Sequence, residues 1–196
     1  MDYVLTTVEV TRMINEAGID LAQMPSESLD MPFGLASGAG AIFGVTGGVT
    51  EAVIRRIVNS SRPEDLENIS FMGARGDESI KELTVMVGER EVKIAVVNGL
   101  GSADELLQKM KAGEVSYDFV EVMACKRGCI TGGGQPTPIG PRTKKARMDG
   151  IYNIDQASQI RLSNENPFIT MLYDGLLKGK EHKLLHNHPE HKCEEC

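Results

Sequence analysis

Residues 92–123 run from VKIAVVNG through SADELLQKMKAG to YDFVEVM, a strand, a helix and a strand in succession. That order constrains the fold more than anything else in the chain. Two strands separated by one helix are joined as a parallel pair through a crossover, and such crossovers are nearly always right-handed. The preceding stretch, ELTVMVGEREVKIAVVNG, reads as two strands around a tight turn at Gly88. The chain is therefore expected to be α/β, with a mixed or parallel sheet flanked by helices. The second strand of the parallel pair opens directly into CKRGCITGGGQP, at the carboxyl edge where open α/β sheets bind ligands.

The remaining elements follow from caps and periodicity. Thr6 and Glu9 form a capping box for a helix that stops at Gly18, and residues 18–35 read as loop. The glycine-rich run GLASGAGAIFGVTGGVT leads into a helix from about 48 to 59, with Val49, Ala52, Val53, Ile57 and Val58 on its apolar side. Ser102 and Glu105 are spaced as a capping box for the crossover helix, and Gly113 lies beyond its end. Residues 137–150 read as an irregular basic segment. Helices are expected over 150–163 and 166–178, around the break at Asn164 to Pro167. Residues 1–180 form one lobe, and 181–196 read as a disordered polar tail that holds all four histidines, Cys193 and Cys196.

A chain of 196 residues with 41% apolar composition makes one domain, or one lobe of a larger enzyme. The net charge of −7 disfavours nucleic acid and anionic membranes as partners. No apolar run approaches the roughly 20 residues of a membrane span, and the opening MDYVLTTVEV is not a signal peptide, so a cytoplasmic location is expected. Thiols stay reduced there, and four cysteines are better read as ligands or catalysts than as staples. Ten methionines suit soft packing, either in the core or against another lobe.

Cys125 and Cys129, at i and i+4, can grip one inorganic group from the same side. Gly128 lets the chain between them curl, and Gly132, Gly133 and Gly134 strip the facing wall of Cβ atoms. Backbone N–H groups can then approach an anionic ligand. Lys126 and Arg127 offset the charge of a thiolate-bound cluster. The residues alone leave three readings open: an anionic metal cluster, a redox dithiol, or a zinc site completed by Cys193 and Cys196. GAGAIFG lacks the third glycine of a dinucleotide fingerprint, since Phe43 stands in its place, and close helix packing is the plainer use of those glycines.

EVMACKRGCITGGGQP resembles the third cluster-binding signature of the [FeFe]-hydrogenases, Glu-x-Met-x-Cys-x-x-Gly-Cys-x-x-Gly-Gly-Gly-Gln-Pro. Glu121, Met123, Cys125, Gly128, Cys129, Gly132, Gly133, Gly134, Gln135 and Pro136 occupy every fixed position. SGAGAIFGVTGGVTEAVIRR, DYVLTT and NPFITMLYDGLL resemble further segments of the same lobe, so the likeness covers nearly the whole chain. The resemblance implies one lobe of the hydrogenase catalytic domain and reversible reduction of protons to hydrogen. It implies that Cys125 ligates a [4Fe-4S] cubane and that Cys129 bridges it to a diiron centre as the catalytic ligand. Met123, Phe43, Gly44 and Gly133 would surround that cofactor, and ferredoxin or a flavoprotein would carry electrons.

Two departures matter. The family's other two cluster signatures, Thr-Ser-Cys-Cys-Pro and Met-Pro-Cys-x-x-Lys, are missing. MPFGLA at 31–36 matches the second only in its first two letters. A cubane takes four thiolates, so a complementary lobe or subunit must supply the rest. The alternative is a non-catalytic iron–sulfur or zinc protein for electron transfer or assembly, using Cys125 and Cys129 with Cys193 and Cys196. The other departure is local: Lys126 and Arg127 replace a proline and a small residue. The basic run Arg142, Lys144, Lys145 and Arg147 reads as a solvated loop, with docking of an acidic carrier as the sharper option. His186, His188 and His191 are assigned no role.

Overall fold

Alternating side chains in residues 80–98 build a hairpin with one face for each layer. The computed structural model, which describes residues 3–27, 35–58, 75–76 and 78–185, has β1 at Ile80–Val87, β2 at Arg90–Asn98 and β3 at Phe119–Met123. β1 pairs antiparallel with β2, from Ile80 opposite Val97 to Val87 opposite Arg90. Gly88 makes the turn at φ +62°, a backbone region glycine enters without steric cost. β2 pairs parallel with β3, from Ile94 opposite Phe119 to Asn98 opposite Met123. The sheet is mixed, in the order β1-β2-β3, as the succession of elements implies.

Helices cover both faces. α1 is Thr7–Glu16, α2 is the single turn Gly38–Ala41, and α3 is Gly48–Val58. The crossover helix α4 is Leu100–Lys111, and α5 is Pro141–Ala157. α6 is Pro167–Asp174 and α7 is Glu181–Leu185. Ile54 of α3 packs with Leu83, Val85, Ile94 and Val96 on one sheet face. Ala103 and Leu106 of α4 pack with Ala95 and Val97 on the other. Thr6 and Glu9 form the expected capping box, and hydrogen bonding from Thr6 holds the Glu9 carboxyl below its ordinary pKa.

Four sequence expectations are corrected. α4 begins two residues before Ser102: its N-cap is Gly99 at φ +90°, and Glu105 instead pairs with Lys109 at 2.7 Å. Residues 141–150 are helical, because Pro141 at the first helical position presets φ and loses no hydrogen bond there. Residues 181–185 form a helical turn within the segment expected to be a disordered tail. Finally, α3 turns its polar side inward. Thr50, Glu51 and Arg55 are buried with Ile54, while Ile57 and Val58 are exposed. Cys193, Cys196, His186, His188 and His191 lie outside the described residues, as does most of MPFGLA.

A buried charge cluster explains the inverted helix. The Arg55 guanidinium donates to both Asp155 oxygens at 2.7 and 2.8 Å and to Glu51 Oε1 at 2.6 Å. Arg75 forks onto Glu51 at 2.7 and 2.8 Å and stacks 3.8 Å above the Tyr152 ring. Arg161 reaches Asp155 at 2.6 Å. Burial pushes the Asp155 carboxyl up, but hydrogen bonds from Arg55 and Arg161 outweigh it and hold the group below its usual pKa. Burial, with the Glu51 charge nearby, pushes the Tyr152 phenol up to about 12. A Cβ at Gly38 would lie 2.2 Å from Asp155 Oδ1, so only glycine lets α2 close over the cluster.

Candidate metal centre

The site is built where β3 ends. The Gly99 amide donates to the Met123 carbonyl at 2.8 Å, joining the start of α4 to the last residue of β3. Buried Asn98 then reaches across: its Oδ1 accepts from the Arg127 amide at 3.1 Å while its Nδ2 donates to the Glu78 carbonyl at 2.8 Å. Arg127 sits at φ +69°, in the left-handed region, so the chain reverses between the two cysteines. Thr131 Oγ1 donates to the Gly128 carbonyl at 3.2 Å and also bonds the Lys126 carbonyl.

Glu121 fixes the glycine-rich run against this loop. Its buried carboxylate accepts from the amides of Gly47 and Thr50 at 2.7 Å and from the Thr50 hydroxyl at 2.8 Å. A carboxylate at the start of α3 satisfies orphan N–H groups and complements the helix dipole. Bonds to a charged acceptor contribute about 1.5–3 kcal/mol. Glu121→Gln is therefore expected to lower stability by about that amount in urea unfolding, and Glu121→Ala by more.

Gly44 and Gly128 carry the closest approach. A Cβ on Gly128, at φ +92°, would meet the Gly44 carbonyl oxygen and the Thr46 nitrogen at 2.8 Å each. The Thr46 amide donates to the Arg127 carbonyl at 3.3 Å. On the far side, Gly134 lies against Thr6: a Cβ there would come 3.0 Å from the Thr6 Cβ, and the Val8 amide donates to the Gly134 carbonyl at 3.0 Å. The third support was not legible in the sequence. Arg147 of α5, expected in a solvated loop, donates to the Ile130 carbonyl at 2.8 Å and the Pro136 carbonyl at 2.7 Å.

Held in this way, Cys125 and Cys129 are exposed free thiols. The Cβ position of Gly132 is 3.6 Å from Cys125 Sγ, and a Cβ on Gly133 would meet nothing within 4 Å. The loop thus presents two exposed thiols, Cys125 beside glycine backbone that carries no side chains, and a bulky thiolate-bound group fits that donor set. It fills half of a cubane's coordination. Among the described residues no group of three His, Cys, Asp or Glu side chains is placed to hold a metal ion. Met123 is half-buried at the end of β3. Phe43, 46% exposed, lines an apolar groove of about 640 Å³ with Ala52, Val53, Ile57, Leu162 and Tyr173. The outward apolar side of α3 forms part of that groove. No helix among the described residues is long and apolar enough to cross a membrane.

Comparison with known proteins agrees with this arrangement. Residues 1–133 match the family model for the iron-only hydrogenase large subunit, C-terminal domain, and residues 141–189 match that of the iron hydrogenase small subunit. The chain is 42% identical over 193 residues to the NADP-reducing hydrogenase subunit HndD of Solidesulfovibrio fructosivorans, covering 96% of this chain and 33% of that protein. It is 29% identical over 187 residues to the cytosolic Fe-S cluster assembly factor narfl of Xenopus tropicalis, covering 92% of this chain and 38% of that protein. It superposes on the apo [FeFe]-hydrogenase HydA1 from Chlamydomonas reinhardtii, variant C377H, with a TM-score of 0.69 at 35% identity, covering 96% of this chain and 55% of that one. The chain spans about a third of the length of the curated relatives it matches. With a mixed sheet ending in this loop and a matching model over two-thirds of its residues, the chain belongs to the family formed by the C-terminal domains of iron-only hydrogenase large subunits.

Proposed function

We propose that this chain is the cluster-binding lobe of an [FeFe]-hydrogenase, which reduces protons reversibly to hydrogen only when its site is completed by a complementary lobe or subunit. The observation that carries this reading is the pair of exposed thiols, Cys125 and Cys129, in a glycine loop pinned by Asn98, Gly44, Thr6 and Arg147. Cys125 would hold a [4Fe-4S] cubane, and Cys129 would hold it together with a diiron centre that supplies the redox chemistry. Met123, Phe43, Gly44 and Gly133 would wall the site and exclude water. An incomplete coordination set calls for a partner, and the exposed apolar surface supports one. α1 buries none of its residues, and Phe43 opens onto the apolar groove beside α3. Ferredoxin or a flavoprotein would deliver electrons, in the cytoplasm.

Cys125→Ser and Cys129→Ser in the full chain, co-produced with a complementary lobe and the cluster-maturation proteins, are expected to lose bound iron and hydrogen evolution together. Iron retained at wild-type levels in both variants would remove the loop from the site.

The likeness to an assembly factor favours a second reading, a non-catalytic iron–sulfur or zinc protein that draws its other ligands from Cys193 and Cys196. Stable metal in the isolated chain that disappears in Cys193→Ser/Cys196→Ser would support it. Metal content unchanged in that double variant would exclude it.

A further inference from the structure

Residues 3–27 carry the apolar content of a core element, yet none of them is buried. Tyr3, Val4, Leu5, Met13, Leu21 and Met24 are each more than half exposed. Single exposed apolar side chains are ordinary, but such a concentration in one short segment marks an interaction surface. α1, inside this segment, is capped by the Thr6 and Glu9 box at its start and followed by Gly18 at φ +70°. A helix of ten residues is still marginal in water without a surface to pack on. Its caps therefore prepare a helix that another surface must cover.

The attachment of the segment identifies that surface. The Val8 amide donates to the Gly134 carbonyl at 3.0 Å, and Gln135 Nε2 donates to Thr7 Oγ1 at 3.2 Å. Thr11 and Ile14, both half-buried, share a side of α1 with Thr7, so that side is turned to the chain's own body. Met13, and Leu21 and Met24 beyond the helix, are left exposed. Gly134 belongs to the same loop as Cys125 and Cys129, which fill two of a cubane's four thiolate positions. A polypeptide that brings the other two thiolates to this loop lies across it, beside the segment bonded to the loop's far end.

We propose that residues 3–27 are a docking arm for the complementary lobe that carries the missing thiolates, and that seating this lobe on the arm holds the cysteine loop in place through Gly134 and Gln135. The partner's identity rests on the two-lobe reading; the arm adds where that partner binds and how its binding reaches the loop. Docking on the arm does not require iron at Cys125 and Cys129.

The full chain, co-produced with a tagged hydrogenase lobe bearing Thr-Ser-Cys-Cys-Pro and Met-Pro-Cys-x-x-Lys, provides the test. Wild type and Cys125→Ser/Cys129→Ser should co-purify with the lobe alike. Met13→Glu/Leu21→Glu should lower recovery at least tenfold, as expected from losing the burial of two such side chains. Its circular dichroism spectrum should be unchanged, because both positions are exposed. Amide hydrogen exchange over residues 7–16 should slow tenfold or more in the wild-type complex, a readout that needs no variant. Unchanged recovery in Met13→Glu/Leu21→Glu with unaltered exchange, or loss of recovery in the serine variant, would overturn the arm and leave the two-lobe reading standing. Failure of wild type to bind the lobe would overturn both. An arm-dependent complex that evolves no hydrogen after full maturation would uphold the arm and overturn the hydrogenase reading. A wild-type dimer that Met13→Glu/Leu21→Glu dissociates, and that excludes the lobe, would assign the arm to a second copy of this chain and overturn the proposal.

Discussion

Asp155→Ala is expected to destabilise the lobe by about 3–5 kcal/mol, the usual cost of removing one partner from a buried ion pair. The reason lies in what remains. Arg55 is fully buried and donates to both Asp155 oxygens, so the alanine variant leaves its guanidinium with Glu51 as its one carboxylate among the described residues. Glu51 is already shared with Arg75. Arg161 also loses its contact, and its buried Nε has no hydrogen-bond partner among the described residues even in the native protein. Urea unfolding measures the effect. A loss below about 1 kcal/mol would mean that water reaches the cluster.

The same cluster fixes a pH dependence. Asp155 is more acidic folded than unfolded, so between its two pKa values the unfolded chain binds more protons. Its contribution is full above the ordinary carboxylate range, near pH 4, and is lost as pH falls through the folded value. Asp155→Asn should therefore flatten the acid limb of the stability curve while leaving a lower plateau at neutral pH.

This cluster also marks the limit of what the sequence shows. Helix existence and the hairpin were legible because each depends on neighbours: the alternation of Leu83 and Val85, the turn at Gly88, the cap at Thr6. The face that α3 buries was not. Its apolar periodicity points outward, since Arg55, besides the local Glu51, finds a second counter-ion 100 residues away on α5, a distance no local pattern encodes. On the two-lobe proposal, Ala52, Val53 and Ile57 are apolar because they meet a partner rather than this chain's own core. At the cysteine loop, the cysteines and glycines were legible as a fixed-spacing signature, but their supports were not. Arg147 looked like one charge in a solvated run, and only the helix beginning at Pro141 turns it onto the loop's carbonyls. Glu121 left a usable sign, a carboxylate between Val120 and Val122 in a strand, where burial demands a partner.

Gly128→Ala and Gly133→Ala should separate the scaffold of the loop from its cradle. At Gly128 the methyl group would meet the Gly44 carbonyl oxygen and the Thr46 nitrogen at 2.8 Å, both of them backbone atoms, and φ is +92°. Backbone strain there costs about 1–3 kcal/mol, and overpacking typically adds about 1–3 kcal/mol. The variant is expected to lose thermal stability and to pull the loop away from the glycine-rich run, so that iron content falls as a consequence of misfolding. At Gly133 the methyl group meets nothing within 4 Å and φ is not positive, so the melting temperature should stay within a degree or two of wild type. If that open space is where a thiolate-bound group sits, Gly133→Ala should nonetheless lower iron incorporation. A folded protein with reduced iron is the signature of a ligand cradle, because a purely structural glycine lowers both quantities together. Full iron loading of Gly133→Ala would show that the group lies against another wall of the loop.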